Sequence, residues 1–133
     1  MDEEIPVQIN SDEDIVTARQ VGRALAIKLG FSRGDATLLA TAISELSRNI
    51  LTYAKNGVVQ ICEINGSAQR GVQVIARDEG PGIADIKQAM RDGFSTSGSL
   101  GLGLPGVMRL VDEFEIESAP GSGTTIKLKK WRR

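Results

Sequence analysis

The stretch that decides the fold is DEGPGIADIKQAMRDGFSTSGSLGLGLPG, residues 78–106. It begins with an Asp-x-Gly-x-Gly motif and ends with a Gly-x-Gly motif, whose defining residues are Asp78, Gly80, Gly82, Gly101 and Gly103. Glycines this dense suit a backbone that must come close to a ligand. They are equally the residues that punctuate ordinary loops, so the glycines alone do not decide between the two interpretations.

The residues after the second glycine pair favour the ligand interpretation. Pro105 lies where the first turn of a helix needs no amide hydrogen, and apolar residues recur at helical spacing from Val107 to Phe114. We therefore predict a helix over residues 104–112. Amides at the positive N-terminus of such a helix can hold phosphate oxygens.

The rest of the chain predicts an α/β protein. Runs in which apolar and polar residues alternate predict strands. Apolar residues at every third or fourth position predict two helices, which begin at Ser11 and Ser32 and end near Gly30 and Ala54. The predicted strands cover residues 5–9, 58–64, 71–76, 113–118 and 124–131, with a short helix over 84–92 and a flexible loop over 93–103. The expected architecture is a two-layer sandwich, in which a mostly antiparallel mixed sheet carries helices on one face. Pro6 places the first strand at an edge.

Size and charge limit the possible classes of protein. A chain of 133 residues is expected to be a single domain spanning residues 1–133. With 16 basic and 17 acidic residues, no strong field points to nucleic acid or a membrane as a partner. No apolar run resembles a signal or a membrane span, so we expect a cytoplasmic protein. The single cysteine, Cys62, is interpreted as a small buried residue rather than a reactive thiol.

Two groups of basic residues have alternative interpretations. Lysines and arginines near the C-terminus alternate with Ile126 and Leu128, which favours a solvated strand face over a polyanion site; they are Lys127, Lys129, Lys130, Arg132 and Arg133. Arg19 and Arg23 lie one turn apart on the first helix. A solvated helix face is the default for such a pair, and a partner-binding patch is the alternative.

The second helix carries a polar face beside its apolar stripe. Glu45 and Asn49 are four residues apart and share that face, with Arg48 beside them. Such a pair is routine on a wet surface. In a nucleotide site, however, the Asn49 amide oxygen suits magnesium, and Glu45 suits the removal of a proton from an attacking hydroxyl.

Four motifs therefore occur in a fixed order: Glu45-x-x-Arg48-Asn49, Asp78-x-Gly80-x-Gly82, Gly101-x-Gly103 and Gly121-x-Gly123-Thr124. This order resembles the GHKL (Bergerat) ATP-binding fold shared by gyrase, the ninety-kilodalton heat-shock chaperones, histidine kinases and MutL. Within that superfamily, the runs ISELSRNI, DEGPGI, DGFSTSG and GLGLPGVMRLVDEF resemble the RsbT-type switch serine/threonine kinases of the stressosome. The resemblance extends from DIVTARQVGR to IKLKKW.

The resemblance implies a role for each site residue. Asp78 would accept the adenine amino group, Gly80, Gly82 and Thr124 would shape its pocket, and Asn49 would hold magnesium. Gly101 and Gly103 would approach the phosphates of ATP, residues 93–103 would form a lid, and Glu45 would be the catalytic base. The implied substrates are STAS-domain proteins of a partner-switching stress response, and the implied second partner is a PP2C-type phosphatase.

Two other functions remain open on the same fold. One is an anti-sigma factor that sequesters a sigma subunit, and the other is a non-catalytic module in which ATP gates partner exchange. The chain has no histidine. It therefore cannot phosphorylate a histidine of its own, as a two-component sensor does.

Overall fold

A computed structural model describes residues 4–80 and 103–133. The predicted helix over 84–92, residues 93–102 of the predicted loop, and the site residues Gly82 and Gly101 lie outside those ranges. The described elements, in chain order, are β1 (Glu4–Ile9), α1 (Asp12–Lys28), α2 (Arg33–Tyr53), β2 (Gly57–Asn65), β3 (Arg70–Asp78), α3 (Gly103–Leu110), β4 (Glu113–Ser118) and β5 (Thr124–Trp131).

The five strands of the described ranges form one sheet in the order β1-β2-β3-β5-β4. Each pairing is antiparallel, so the sheet has no parallel pair within those ranges. Alternate residues of the strands, such as Val59, Val74 and Leu128, join Leu39 and Ile43 of α2 in one core. The predicted two-layer α/β sandwich is confirmed, but its sheet in these ranges is wholly antiparallel rather than mixed. The predicted edge position of β1 is confirmed too, because β1 pairs only with β2 among the described strands.

Local hydrogen bonds explain where the helices begin and end. The Asp14 carboxylate accepts from the Ser11 amide at 3.1 Å, and Ser32 Oγ accepts from the Asp35 amide at 3.1 Å. These contacts satisfy donors that a helix N-terminus leaves unpaired. Gly30, with φ of +93°, follows the end of α1 in the left-handed region, as predicted.

Gly22 lies inside α1, where a glycine costs about 1 kcal/mol relative to alanine. A Cβ at this position would lie 2.1 Å from Cδ1 of Ile43 on α2. The missing side chain therefore lets the two helices pack closely above the sheet. This close contact explains why a glycine occurs inside α1, although glycine disfavours a helix.

The basic end of β5 is divided between the two faces of the sheet. Lys127 and Lys129 are paired with Glu115 and Glu113 of β4, at 4.0 and 3.9 Å, which confirms a solvated face for these two lysines. Lys130 is only 4% exposed. Its inclusion in the solvated face was wrong, because it alternates in phase with Ile126 and Leu128 and therefore lies on the helix-covered side.

Cys62 is buried, as predicted. Within residues 4–80 and 103–133, no helix combines the length and the apolar character that crossing a lipid bilayer requires.

Candidate functional site

Three strands meet at one end of the sheet, beside the end of α2. Asp78 is the last residue of β3 and is paired in register with Gly57 on one side and Thr124 on the other. The structure thus brings together the Asp-x-Gly motif and the Gly-x-Gly-Thr motif, which lie more than forty residues apart in the sequence.

The Asp78 side chain is held by the backbone that follows it. Its Oδ1 accepts a hydrogen bond of 3.0 Å from the Gly80 amide. This short turn fixes the direction of the carboxylate. Asp78 is half-buried at the end of the sheet.

Two glycines allow the backbone segments around Asp78 to approach one another. A Cβ on Gly123, which has φ of +75°, would lie 2.2 Å from the Asp78 carbonyl oxygen. A Cβ on Gly80 would lie 2.6 Å from the Cβ of Ala54, just past the end of α2. These two glycines are therefore required by close packing, and the packing places Asp78 next to α2.

Thr124 is held by a residue that sequence reasoning missed. Ser118, at the end of β4, donates from Oγ to the Gly123 carbonyl at 3.0 Å and lies 2.8 Å from Thr124 Oγ1. Because the one hydroxyl proton of Ser118 is used on Gly123, Thr124 donates to Ser118 and keeps acceptor capacity. The predicted hairpin between β4 and β5 could have indicated this contact, because it pairs Ser118 with Thr124.

The polar face of α2 lies on the same helix as the apolar stripe that faces the core. Glu45, Arg48 and Asn49 are half-buried, whereas Leu46 and Ile50 are buried. Asn49 precedes Tyr53 by one turn, and the Tyr53 carbonyl lies 3.2 Å from the Cβ position of Gly80. Asn49 is therefore about 6 Å along the helix axis from Tyr53, the residue that lies against Gly80, and Glu45 is about 12 Å from it.

Glu45 and Asn49 are available for a ligand. Neither side chain forms a hydrogen bond or ion pair with another residue in the described ranges. Those ranges contain no cluster of three or more histidine, cysteine or acidic side chains that could hold a metal. The Asn49 amide oxygen nevertheless fits magnesium, which commonly takes only one or two ligands from the protein and the rest from water and phosphate.

The helix after the second glycine pair packs against α2. Gly103 begins α3 with φ of +68°, a conformation that favours glycine, and Pro105 lies in the first turn, as predicted. Buried Leu104 and Val107 fix this helix on the core. The helix ends at Leu110, two residues before the predicted end.

On the outer side of the helical layer, Arg19 and Arg23 are exposed on α1. Exposed apolar residues flank them on the same helix, namely Val16 and Ile27, which are 39% and 41% exposed. Such a surface is compatible with both interpretations of the arginine pair.

The chain is similar in sequence to known proteins. Residues 34–132 match the family model described as Histidine kinase-, DNA gyrase B-, and HSP90-like ATPase. The chain is 50% identical over 133 residues to the serine/threonine-protein kinase RsbT of Bacillus subtilis (strain 168), covering 100% of both proteins. It is 32% identical over 120 residues to the anti-sigma F factor of Thermoanaerobacter pseudethanolicus, covering 86% of this chain and 82% of the relative.

A solved structure of a known protein has a similar fold. The mycobacterial sensor histidine kinase MprB superposes with a TM-score of 0.58 at 19% identity, covering 98% of this chain and 99% of the other. At this identity the likeness supports the fold alone. Together, the family match and the full-length relative show that the chain belongs to the histidine kinase-, DNA gyrase B- and HSP90-like ATPases.

Proposed function

We propose that this chain, as a single domain, is a serine/threonine protein kinase that transfers the γ-phosphate of ATP to a STAS-domain partner. The observation that carries the proposal is the meeting of Asp78, Thr124 and the end of α2 at one end of the sheet. The full-length identity to a serine/threonine-protein kinase supports the same class of reaction.

The proposed binding mode follows the elements that meet there. The Asp78 carboxylate, fixed by the Gly80 amide, would accept the adenine amino group, with Gly82 and Thr124 completing the pocket. The phosphates would extend between α2 and the start of α3, near Gly103. Gly101 and the lid over residues 93–103 belong to the same proposal through the sequence motifs.

Asn49 is the residue that would hold magnesium, through its amide oxygen. A bound magnesium ion would supply charge neutralisation for the β- and γ-phosphates. The half-buried, unpartnered state of Asn49 within the described ranges supports this role.

In the proposed reaction, the hydroxyl oxygen of the partner forms a bond to the γ-phosphorus while the bond from that phosphorus to the β,γ-bridging oxygen breaks. Glu45 accepts the hydroxyl proton, and ADP leaves. Phosphoryl transfer depends mainly on positioning and charge stabilisation. A site with the Glu45 carboxylate as proton acceptor, helix N-terminal amides and the Asn49 carboxamide, which would hold magnesium, is suited to it.

The partners are proposed from the family resemblance. STAS-domain proteins of a partner-switching stress response would be substrates, and a PP2C-type phosphatase regulator would be a second partner, all in the cytoplasm. The exposed Arg19 and Arg23 on α1 are the proposed contact for such proteins. Reversing both charges, with Arg19→Glu and Arg23→Glu, should weaken partner binding without changing ATP affinity.

A second candidate function is favoured by the anti-sigma F factors among the relatives. In that case the chain would sequester a sigma subunit as well as phosphorylate a partner. Tight capture of a purified sigma subunit in a pull-down would favour it. If ATP only gates partner exchange, Glu45→Ala should remove residual turnover and leave partner exchange intact.

The direct experiment is transfer of label from γ-labelled ATP to a purified STAS-domain protein. At ATP concentrations at or below the wild-type Kd, Asn49→Ala and Asp78→Asn should each nearly abolish transfer, whereas Gln8→Ala, on the exposed side of the edge strand β1, should leave it unchanged. Undiminished transfer by both site variants would exclude this site.

A further inference from the structure

Lys130 carries a buried charge that the proposed reaction does not use. The residue is 4% exposed, and its Nζ donates a hydrogen bond of 2.8 Å to the Leu110 carbonyl oxygen. No ion pair between residues of the described ranges includes it. A charge is costly to bury without compensation, so the nature of its partner matters.

That partner is the C-terminal end of a helix. Leu110 is the last residue of α3, where carbonyl groups lack partners within the helix. The same end carries the negative pole of the helix dipole. The Lys130 ammonium therefore satisfies an unpaired carbonyl and is stabilised by the negative end of the helix dipole.

The segment after α3 is joined to β5 by further bonds. The Asp112 amide donates to the Lys129 carbonyl at 2.9 Å, and Asp112 Oδ2 accepts from the Trp131 amide at 2.8 Å. Arg133 is paired with the same carboxylate. We call Leu110, Asp112, Lys130 and the backbone amide of Trp131 the helix–strand clamp.

The clamp holds the far end of the helix that begins at Gly103. A helix of eight residues is only about 12 Å long, and its buried Leu104 and Val107 fix its underside on the core. The bond to β5 and the packing of Leu104 and Val107 therefore hold α3 at two places. Loss of the Lys130 bond would release one of them, and we expect the amides at the start of α3 to shift.

We propose that Lys130 is a positioning residue, which holds α3 so that its N-terminal end meets the phosphates of ATP. This inference rests on the proposed nucleotide site. Lys130 would touch neither ATP nor the protein substrate. It would act through the Leu110 carbonyl and the helix between them.

The test compares the affinities of full-length variants for ATP and for AMP, which lacks the β- and γ-phosphates. Lys130→Met removes the ammonium and keeps an unbranched chain, whereas Lys130→Arg keeps a donor. The matched control is Lys129→Met, which changes the adjacent lysine on the opposite face of β5. Calorimetry gives both affinities, and urea unfolding reports the stability of each variant.

Lys130→Met should lower the ratio of ATP to AMP affinity about tenfold, because small displacements of positioning groups have effects of this order or larger. AMP affinity should stay near that of the wild type, Lys130→Arg should recover most of the ratio, and Lys129→Met should not change it. A folded Lys130→Met protein with an unchanged ratio, or with ATP and AMP weakened equally, would overturn the role of Lys130.

A second variant decides the question if Lys130→Met does not fold. Asp112→Ala removes the exposed part of the helix–strand clamp and should lower the same ratio about threefold, a smaller effect of the same kind. An unchanged ratio in Asp112→Ala would then contradict the proposal. If the wild-type protein instead binds ATP no more tightly than AMP, the proposed phosphate site itself is wrong.

Discussion

The two ends of β5 are held to their neighbours in different ways. At Thr124, the neighbouring backbones approach because side chains are missing: a Cβ on Gly123 would lie 2.2 Å from the Asp78 carbonyl oxygen. At Trp131, side chains make the contacts. The indole Nε1 donates to Glu113 Oε2 at 2.8 Å, and the ring packs against Gly66 and Gly71.

Under the proposed function, we infer that the Thr124 end of β5 serves nucleotide binding and that the Trp131 end serves mainly the stability of the fold. The Thr124 end brings Asp78 and α2 together and leaves polar groups half-buried at the end of the sheet. The Trp131 end joins β3, β4 and β5 through side chains. Substitutions at the Thr124 end should therefore change nucleotide affinity, whereas side-chain substitutions at the Trp131 end outside the helix–strand clamp should change mainly stability.

The largest effect is expected from Gly123→Ala. The new Cβ would overlap the Asp78 backbone, and the φ of +75° disfavours any side chain, so the free energy of unfolding should fall by about 3 kcal/mol and ATP binding should be lost. Gly121→Ala is the matched control, because Gly121 has a similar φ of +79° but no atom within 4 Å of its Cβ position.

The control should lose only about 1 kcal/mol, the cost of the left-handed conformation. Urea unfolding of both variants measures the difference. Equal losses of unfolding free energy in the two variants would mean that the close approach of Gly123 to Asp78 does not contribute to stability.

Asp78→Asn should have the next largest effect, and it should act on binding. The Gly80 amide can still donate to the asparagine oxygen, so the turn should persist while the charged acceptor is lost. A hydrogen bond to a charged group is worth about 2 kcal/mol, so the Kd for ATP should rise about 30-fold. Asp12→Asn, at the exposed start of α1, should leave the Kd unchanged. A loss of stability without a change in the Kd for ATP would show that Asp78 stabilises the fold and does not bind the nucleotide.

Trp131→Phe tests the opposite end. It removes the hydrogen bond to Glu113 and part of the packing, so the free energy of unfolding should fall by about 1 kcal/mol. The Trp131 backbone amide keeps its bond to Asp112, so the Kd for ATP should stay within about twofold, as expected for a distant site. A large rise in Kd would show that the two ends are not separable.

Lys127→Gln should have the smallest effect. Lys127 and Glu115 are 4.0 Å apart, with side chains 39% and 73% exposed, and exposed ion pairs contribute about 0.5 kcal/mol or less. Neither the unfolding midpoint in urea nor the Kd should change measurably. A loss of unfolding free energy as large as that of Trp131→Phe would show that this exposed face of the sheet contributes more to stability than expected.

The local elements were predictable from the sequence because their causes are local. The N-terminal caps at Ser11 and Ser32, the glycine stop at Gly30 and the alternation of β5 each lie within a few residues of the element that they define. The predicted strands and the helices α1 and α2 are confirmed for this reason.

Features that depend on contacts across the fold were not predictable in the same way. Nothing near Gly22 in the sequence indicates that it packs on Ile43. The proximity of Thr124 to Asp78 was expected from the family resemblance alone, because no residue near Asp78 indicates it. Lys130 is an intermediate case. Its phase with Ile126 and Leu128 was visible, but its helix-terminal partner is twenty residues away in the sequence.

The central claim is that ATP and magnesium bind between the Asn49 face of α2 and the Asp78 end of the sheet. Its most direct test is a calorimetric titration of ATP into wild-type and Asn49→Ala protein, each with magnesium and with a chelator. We predict that magnesium tightens ATP binding to the wild type and has no such effect on Asn49→Ala. Equal tightening in both proteins, or no binding of ATP by the wild type, would contradict the claim.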